Sequence, residues 1–156
     1  MTEGDNLATR RVLHEAFRWI GTPYRHQGSI RQVGCDCLGL VRGIWRSVYG
    51  VDAPKPGPYS ADWAEQDGQD QLLSAARRHC SEKPLGSTPS PGDLLVFRWR
   101  VTMRSKHLGI LAGNGRFIHA YQGHGVVCSA LVPQWERRIS GFFAFPELPK
   151  QTASKG

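Results

Sequence analysis

Three side chains in this sequence carry the chemistry of a thiol hydrolase: Cys37 as a nucleophile, and His107 and His119 as groups able to move a proton. The pattern around Cys37 predicts that it opens a helix. Asp36 offers an N-cap side chain, and Leu38, Leu40, Val41, Ile44, Trp45 and Val48 continue at helical spacing to Gly50. A sulfur there meets the positive end of the helix dipole, which favours thiolate over thiol. Leu38 and Gly39 supply backbone N–H groups nearby, and Gly39 lets a neighbouring element approach closely. A lone cysteine is more often a buried structural residue. Here the helix start, the preceding Asp36 and the downstream histidines favour the nucleophile.

The two histidines can cooperate only from one face of a sheet. They fall on consecutive predicted strands, His107 to Ala112 and Arg116 to Tyr121, joined by Gly113-Asn114-Gly115. Because strand residues alternate faces, the two odd-numbered positions face the same way only if the hairpin pairs odd with odd. A three-residue loop with Gly115 left-handed does this, as does a two-residue turn combined with a bulge. With the three-residue loop, His107 lies opposite Tyr121 and His119 sits diagonally beside it, close enough to orient the imidazole. His14, His26, His79 and His124 have no second histidine at a matching position and read as solvent-facing or merely hydrogen-bonded.

The elements that must position these groups change period along the chain. Val12, Leu13, Ala16, Phe17 and Ile20 predict a helix over Leu7 to Ile20 with one buried face, stopped by Gly21-Thr22-Pro23. After the Cys37 helix, Asp52 to Ser60 is rich in Pro and Gly and predicts a rigid connector, followed by a helix over Trp63 to Cys80 weakened by Gly68. A loop is expected from Ser81 to Gly92. Asp93 to Trp99, His107 to Ala112, Arg116 to Tyr121, Gly125 to Ala130 and Ser140 to Phe145 are short, β-rich and separated by turn residues. Helices first and strands second predict an α+β domain, its N-terminal helices packed on an antiparallel sheet of about five strands. A chain of 156 residues suits one domain, placed at 7–147, with 1–6 and 148–156 as flexible termini.

The net charge of +7 and pI near 9.6 imply attraction to something acidic. The sharpest basic stretch, Arg98 to Lys106 with Arg100 and Arg104, has no stacking-aromatic series or nucleic-acid motif beside it, so no nucleic-acid partner is expected. No stretch could span a bilayer, and Glu3, Asp5, Arg10, Arg11 and His14 interrupt any secretory signal. The expectation is a protein made in the cytoplasm without a signal peptide and with no membrane partner. Cys35, Cys37, Cys80 and Cys128 are too few and too irregular for a disulfide framework and are expected to be free thiols.

Five blocks then resemble, in order and spacing, the NlpC/P60 peptidases. They are Gly21-Thr-Pro-Tyr24, Gly34-Cys-Asp-Cys-Leu-Gly-Leu-Val41, Pro91-Gly-Asp-Leu-Leu-Val-Phe97, His107-Leu-Gly-Ile110 and Gly113-Asn-Gly-Arg-Phe-Ile-His-Ala120. The resemblance runs from about the first helix to Phe145. It implies a papain-like fold with Cys37 as nucleophile, His107 as general base and His119 as the third, orienting residue. Tyr24 matches the family tyrosine whose hydroxyl lies near the nucleophile, and Asp36 matches the acidic residue before it; both are assigned to the oxyanion or substrate. Members need no metal or cofactor. They typically cleave amide bonds in peptidoglycan stem peptides, often the γ-D-glutamyl to diaminopimelate link.

Two positions depart from most cellular members: Leu38 stands where they have Ser, and Cys35 where many have an aromatic residue. An apolar residue after the cysteine resembles the branch found in phage tails and gene transfer agents. That likeness implies carriage to the wall on a phage-like tail, with hub or baseplate proteins as partners. Three rival readings remain. A zinc site could be assembled from Cys35, Cys37, His107 and His119, although Cys-x-Cys is tighter than the usual metal knuckle. The chain could be a non-catalytic structural adaptor of a tail tip. It could also be a thiol hydrolase of lipids or other amides, which would want an apolar tunnel or membrane segment that the sequence lacks.

Overall fold

The computed structural model describes residues 7–53 and 70–148. Both expected flexible termini, apart from Leu148, and the Pro-rich connector beyond Ala53 lie outside the described residues, as does the first part of the expected Trp63–Cys80 helix.

Helix α1 spans Leu7–Trp19 and buries Ala8, Val12, Glu15, Ala16 and Trp19. The expected stripe differs, because Phe17 and Ile20 are exposed. What turns the helix is Trp19, whose ring occupies the notch left by Gly43 and whose indole N–H donates to Glu15 Oε2 at 3.2 Å. The largest apolar group of the helix is thereby buried, and the apolar stripe rotates to follow it. Helix α2 spans Cys37–Tyr49, with Asp36 as N-cap and left-handed Gly50 (φ 77°) closing it. Helix α3, Gln71–His79, is capped by Asp70, which accepts the Leu73 N–H.

Two short strands, β1 (Ser29–Ile30) and β2 (Gly34–Cys35), form a separate antiparallel ribbon. The main sheet contains β3 (Ser81–Lys83), β4 (Leu94–Phe97), β5 (His107–Gly113), β6 (Arg116–Tyr121), β7 (Gly125–Ala130) and β8 (Ile139–Ala144). Its order is β3-β8-β4-β5-β6-β7, antiparallel throughout. The expected α+β architecture is present, with a sixth strand: Ser81–Lys83, read as loop, pairs with β8 at the sheet edge. Three polar edge residues show no alternation for a sequence pattern to reveal. A short helix, α4 (Pro133–Glu136), precedes β8.

The sheet packs on both sides. Leu94, Val96, Leu108, Ile110 and Ile118 face α1 and α2. On the other side Leu95, Phe97, Leu111, Phe117 and Phe142 form a second cluster, against which Trp135 of α4 packs.

Candidate active site

Backbone contacts build the Cys37 end of the site. Asp36 is 4% exposed. Its Oδ1 accepts the Gly39 N–H at 2.7 Å, and its Oδ2 accepts the Gln27 N–H at 2.8 Å. A Cβ at Gly39 would collide with the Gly28 carbonyl, so only glycine lets the 25–29 loop lie against the helix start. Ser29 Oγ donates to the Gly39 carbonyl at 2.7 Å. Tyr24 is held beside β2 by a bridge to Cys35, with the Arg25 N–H donating to Cys35 O and the Cys35 N–H donating to Pro23 O, each at 3.0 Å. The Gly21-Thr22 segment before it is tied to β7, where the Val126 N–H donates to Thr22 O at 2.9 Å. The Gly-Thr-Pro-Tyr block thus acts as a brace that carries Tyr24 to Cys37.

Side chains build the histidine end. The β5–β6 register runs Ile110↔Ile118 and Leu111↔Phe117, then shifts by a bulge to Gly113↔Arg116. Asn114 (φ 55°) and Gly115 (φ 70°) form the intervening two-residue turn. Of the two hairpins compatible with a shared histidine face, the chain adopts the turn with a bulge, and the register before the bulge, extended toward the strand start, still sets His107 opposite Tyr121. His107 Nε2 and His119 Nδ1 are 2.8 Å apart, and His119 Nε2 lies 2.8 Å from Ser129 Oγ. Gly109 permits the close approach of β6, since a Cβ there would stand 3.0 Å from the Phe117 ring and 3.4 Å from His119 Cβ.

His107 and His119 lie on the face of the sheet away from the helices, and Cys37 approaches the start of β5 from the helix side. There the Cys37 sulfur accepts backbone N–H groups from Leu108, from Leu38 and from Cys37 itself. The donor from β5 is the residue immediately after His107. Aromatic rings seal the histidines from outside: Trp99 stacks on His107 with ring centres 5.7 Å apart, and Trp135 lies 5.7 Å from His107 and 5.4 Å from His119. The Arg138 guanidinium caps Trp99 at 5.0 Å.

Burial governs the protonation states. It pushes the Cys37 thiol up to about 12, helped by the Asp36 carboxylate and opposed by the three N–H groups. His107 is lowered to about 3 by burial and then by His119. His119 is lowered to about 4 by burial and then by His124. Tyr24 rises to about 12 through burial and then through Cys37, which places phenol and thiol within electrostatic reach of each other. These shifts all favour the neutral forms of thiol, imidazoles and phenol; at Cys37 they oppose the helix dipole and the N–H donors, which favour the thiolate.

Every sequence-expected site residue lies in this region, but with different duties. His107 and His119 are hydrogen-bonded to each other, Cys37 holds the N–H of the residue after His107, and Tyr24 stands beside Cys37. Asp36 directs its carboxylate to backbone N–H groups of its own chain and so fixes the helix start. Ser129, Trp99 and Trp135 were not anticipated. Ser129 reaches His119 through the β6–β7 register, in which His119 pairs with Val127 and Ser129 takes the diagonal position on the same face. Cys35 is fully buried in the helix-side core, and among the described residues no three His, Cys, Asp or Glu side chains are grouped to hold a metal ion.

N-terminal helices, one of them opened by Cys37, packed on an antiparallel sheet that carries a histidine pair make this an α+β domain. The chain belongs to the NlpC/P60 family, whose model matches residues 21–143. It is 31% identical over 143 residues, 90% of its length, to the gamma-DL-glutamyl hydrolase of Bacillus subtilis, of which the match covers 30%. It is 31% identical over 131 residues, 83% of its length, to the Escherichia coli K12 murein DD-endopeptidase MepS/murein LD-carboxypeptidase, covering 59% of that protein. The chain thus spans less than two thirds of the length of these relatives. The crystal structure of the NlpC/p60 domain of the peptidoglycan hydrolase SagA has the same fold, with TM-score 0.61 and 22% identity over 88% of this chain and 98% of that one. An NlpC/P60 protein of Bacillus cereus gives TM-score 0.63 at 19% identity, over 92% of this chain and 41% of that one.

Proposed function

We propose that this protein is a cysteine peptidase that hydrolyses amide bonds in peptidoglycan stem peptides, the γ-D-glutamyl to diaminopimelate link being the favoured bond. The observation that carries the reading is the Cys37 sulfur on the Leu108 N–H, beside the 2.8 Å His107–His119 hydrogen bond. Membership of the NlpC/P60 family supports the reaction class. The names of the relatives, a gamma-DL-glutamyl hydrolase and a murein endopeptidase, support the substrate class.

In this mechanism Cys37 attacks the scissile carbonyl as its proton passes to His107 Nδ1. The Cys37 N–H and the Tyr24 hydroxyl, a phenol at neutral pH, stabilise the oxyanion; losing one such donor costs about 3 to 4 kcal/mol in the barrier. His107 then protonates the departing amine. Water, deprotonated by His107, hydrolyses the thioester and regenerates the thiol. Starting from a neutral pair, proton transfer accompanies attack instead of preceding it.

The deciding experiment is digestion of purified muropeptides by wild-type and Cys37→Ala protein, read by mass spectrometry. New termini at the γ-D-glutamyl bond with wild type alone are expected; equal cleavage by both proteins rejects the reading. The same proposal extends to delivery on a phage-like tail, docked on a hub or baseplate protein. Leu38 after the nucleophile and the basic stretch Arg98 to Lys106 motivate this extension. Particles should carry the protein, and charge reversal at Arg98, Arg100 and Arg104 should release it while soluble muropeptides are still cut. Particles without it defeat the delivery idea and leave the peptidase reading intact.

A further inference from the structure

We propose that Ser129 is a positioning residue: its hydroxyl is the terminal acceptor that holds His119, and through it His107, in the tautomer able to take the Cys37 proton. This rests on the peptidase reading above and extends it to a residue outside the Cys37, His107 and His119 set.

The argument is one of donors and acceptors. Two neutral imidazoles 2.8 Å apart share one proton, so one nitrogen donates and the other accepts. For His107 Nδ1 to receive the thiol proton, His107 must carry its own proton on Nε2 and donate it to His119 Nδ1. That commits the His119 proton to Nε2, which points at Ser129 Oγ 2.8 Å away. His119 is 0% exposed, so the serine oxygen takes the place that solvent would otherwise fill.

A serine can also donate. If Ser129 donated to His119 Nε2, His119 would donate from Nδ1 to His107 Nε2, leaving His107 protonated on Nδ1 and useless as a base. Once His107 becomes imidazolium, both its nitrogens carry hydrogen, and only the direction ending on Ser129 survives. The catalytic state therefore selects one hydroxyl orientation. Facing His119 are His107 on β5, Tyr121 on β6, His124 in the β6–β7 turn and Trp135 on α4, with Arg138 beyond Trp135. None of these is a carboxylate, and of the groups around His119 the serine oxygen is the one within hydrogen-bond distance of Nε2.

The test uses Ser129→Ala and Ser129→Thr in the full chain. Ring 15N shifts of the wild-type protein should show His107 and His119 both protonated on Nε2, and Ser129→Ala should shift both rings toward mixed tautomers. On muropeptides, Ser129→Ala should lower kcat about tenfold with KM little changed, the effect of one buried hydrogen bond, and Ser129→Thr should restore it. A wild-type His107 protonated on Nδ1, or a folded Ser129→Ala with unchanged tautomers and kcat, overturns the proposal. If Ser129→Ala does not fold, the wild-type tautomers and the threonine variant still decide it. Because the ring shifts need no turnover, a protein inactive on muropeptides would count against the peptidase reading and leave the Ser129 assignment to the spectra.

Discussion

The two halves of the site are held by different means. Cys37 is placed by main chain: a capped helix start, the carbonyl of Gly28 against Gly39, and N–H groups of Leu108 and Leu38 on the sulfur. The histidines are placed by side chains: a hydrogen-bonded chain ending at Ser129, enclosed by Phe117, Trp99 and Trp135. Main-chain placement tolerates little change at glycine positions, whereas side-chain placement should degrade in steps as each group is removed. On the proposed mechanism the difference also separates chemistry from tuning, because Cys37 and His107 would react while the outer groups would set tautomer and dryness.

The largest effects should come from the reacting pair. Cys37→Ala is expected to abolish muropeptide hydrolysis while its circular dichroism and melting transition stay close to wild type, and His107→Ala should be as damaging. Substantial turnover in either variant would break the comparison at its root. His119→Ala should lose about 10²-fold in kcat, since an orienting group acts through geometry and transfers no proton itself. Steady-state kinetics giving equal losses at His107 and His119 would mean that both transfer protons.

Next in size is a main-chain effect. Gly39→Ala should destabilise the protein by about 1–3 kcal/mol, the usual cost of forcing extra volume into a filled site, and should lower kcat through displacement of Cys37. Urea unfolding together with kinetics measures both, and an unaffected kcat would show that the helix start does not depend on the Gly28 contact.

The smallest effect is the pH dependence of stability. The folded values of His107 and His119, about 3 and about 4, lie below the ordinary 6.5 of an unfolded histidine. Below pH 6.5 the unfolded chain therefore binds protons that the folded chain refuses, so this contribution is complete above 6.5 and is lost as pH falls toward 4 and then 3. The urea midpoint should drop between pH 7 and pH 5, and His119→Asn should drop less. The same shifts predict an acid limb of kcat/KM well below pH 6.5. An acid limb at or above that value would show that His107 is not the buried base described here.

Much of this was legible in the sequence because it depends on local pattern. The α+β order, the Cys37 helix with its Asp36 cap, and the strands bearing His107 and His119 all follow from spacing within one element or one hairpin. The face of α1 was misread because its rotation depends on the notch that Gly43 of α2 offers to Trp19, a fact of two helices and not of one. The edge strand Ser81–Lys83 was missed because pairing with β8, which lies far along the chain, creates it.

By itself the sequence determined the inventory and the local frames: which residues could react, where the helix begins, and that the two histidines could share a face. Tertiary structure decided what those groups become. Register chose the turn-with-bulge hairpin and brought Ser129 to His119, although β7 could not be aligned with β6 from composition alone. Burial biases the site toward its neutral forms, since the dipole that favours a thiolate is a property of one helix, while the dehydration that opposes it is supplied by elements brought together only in the folded chain.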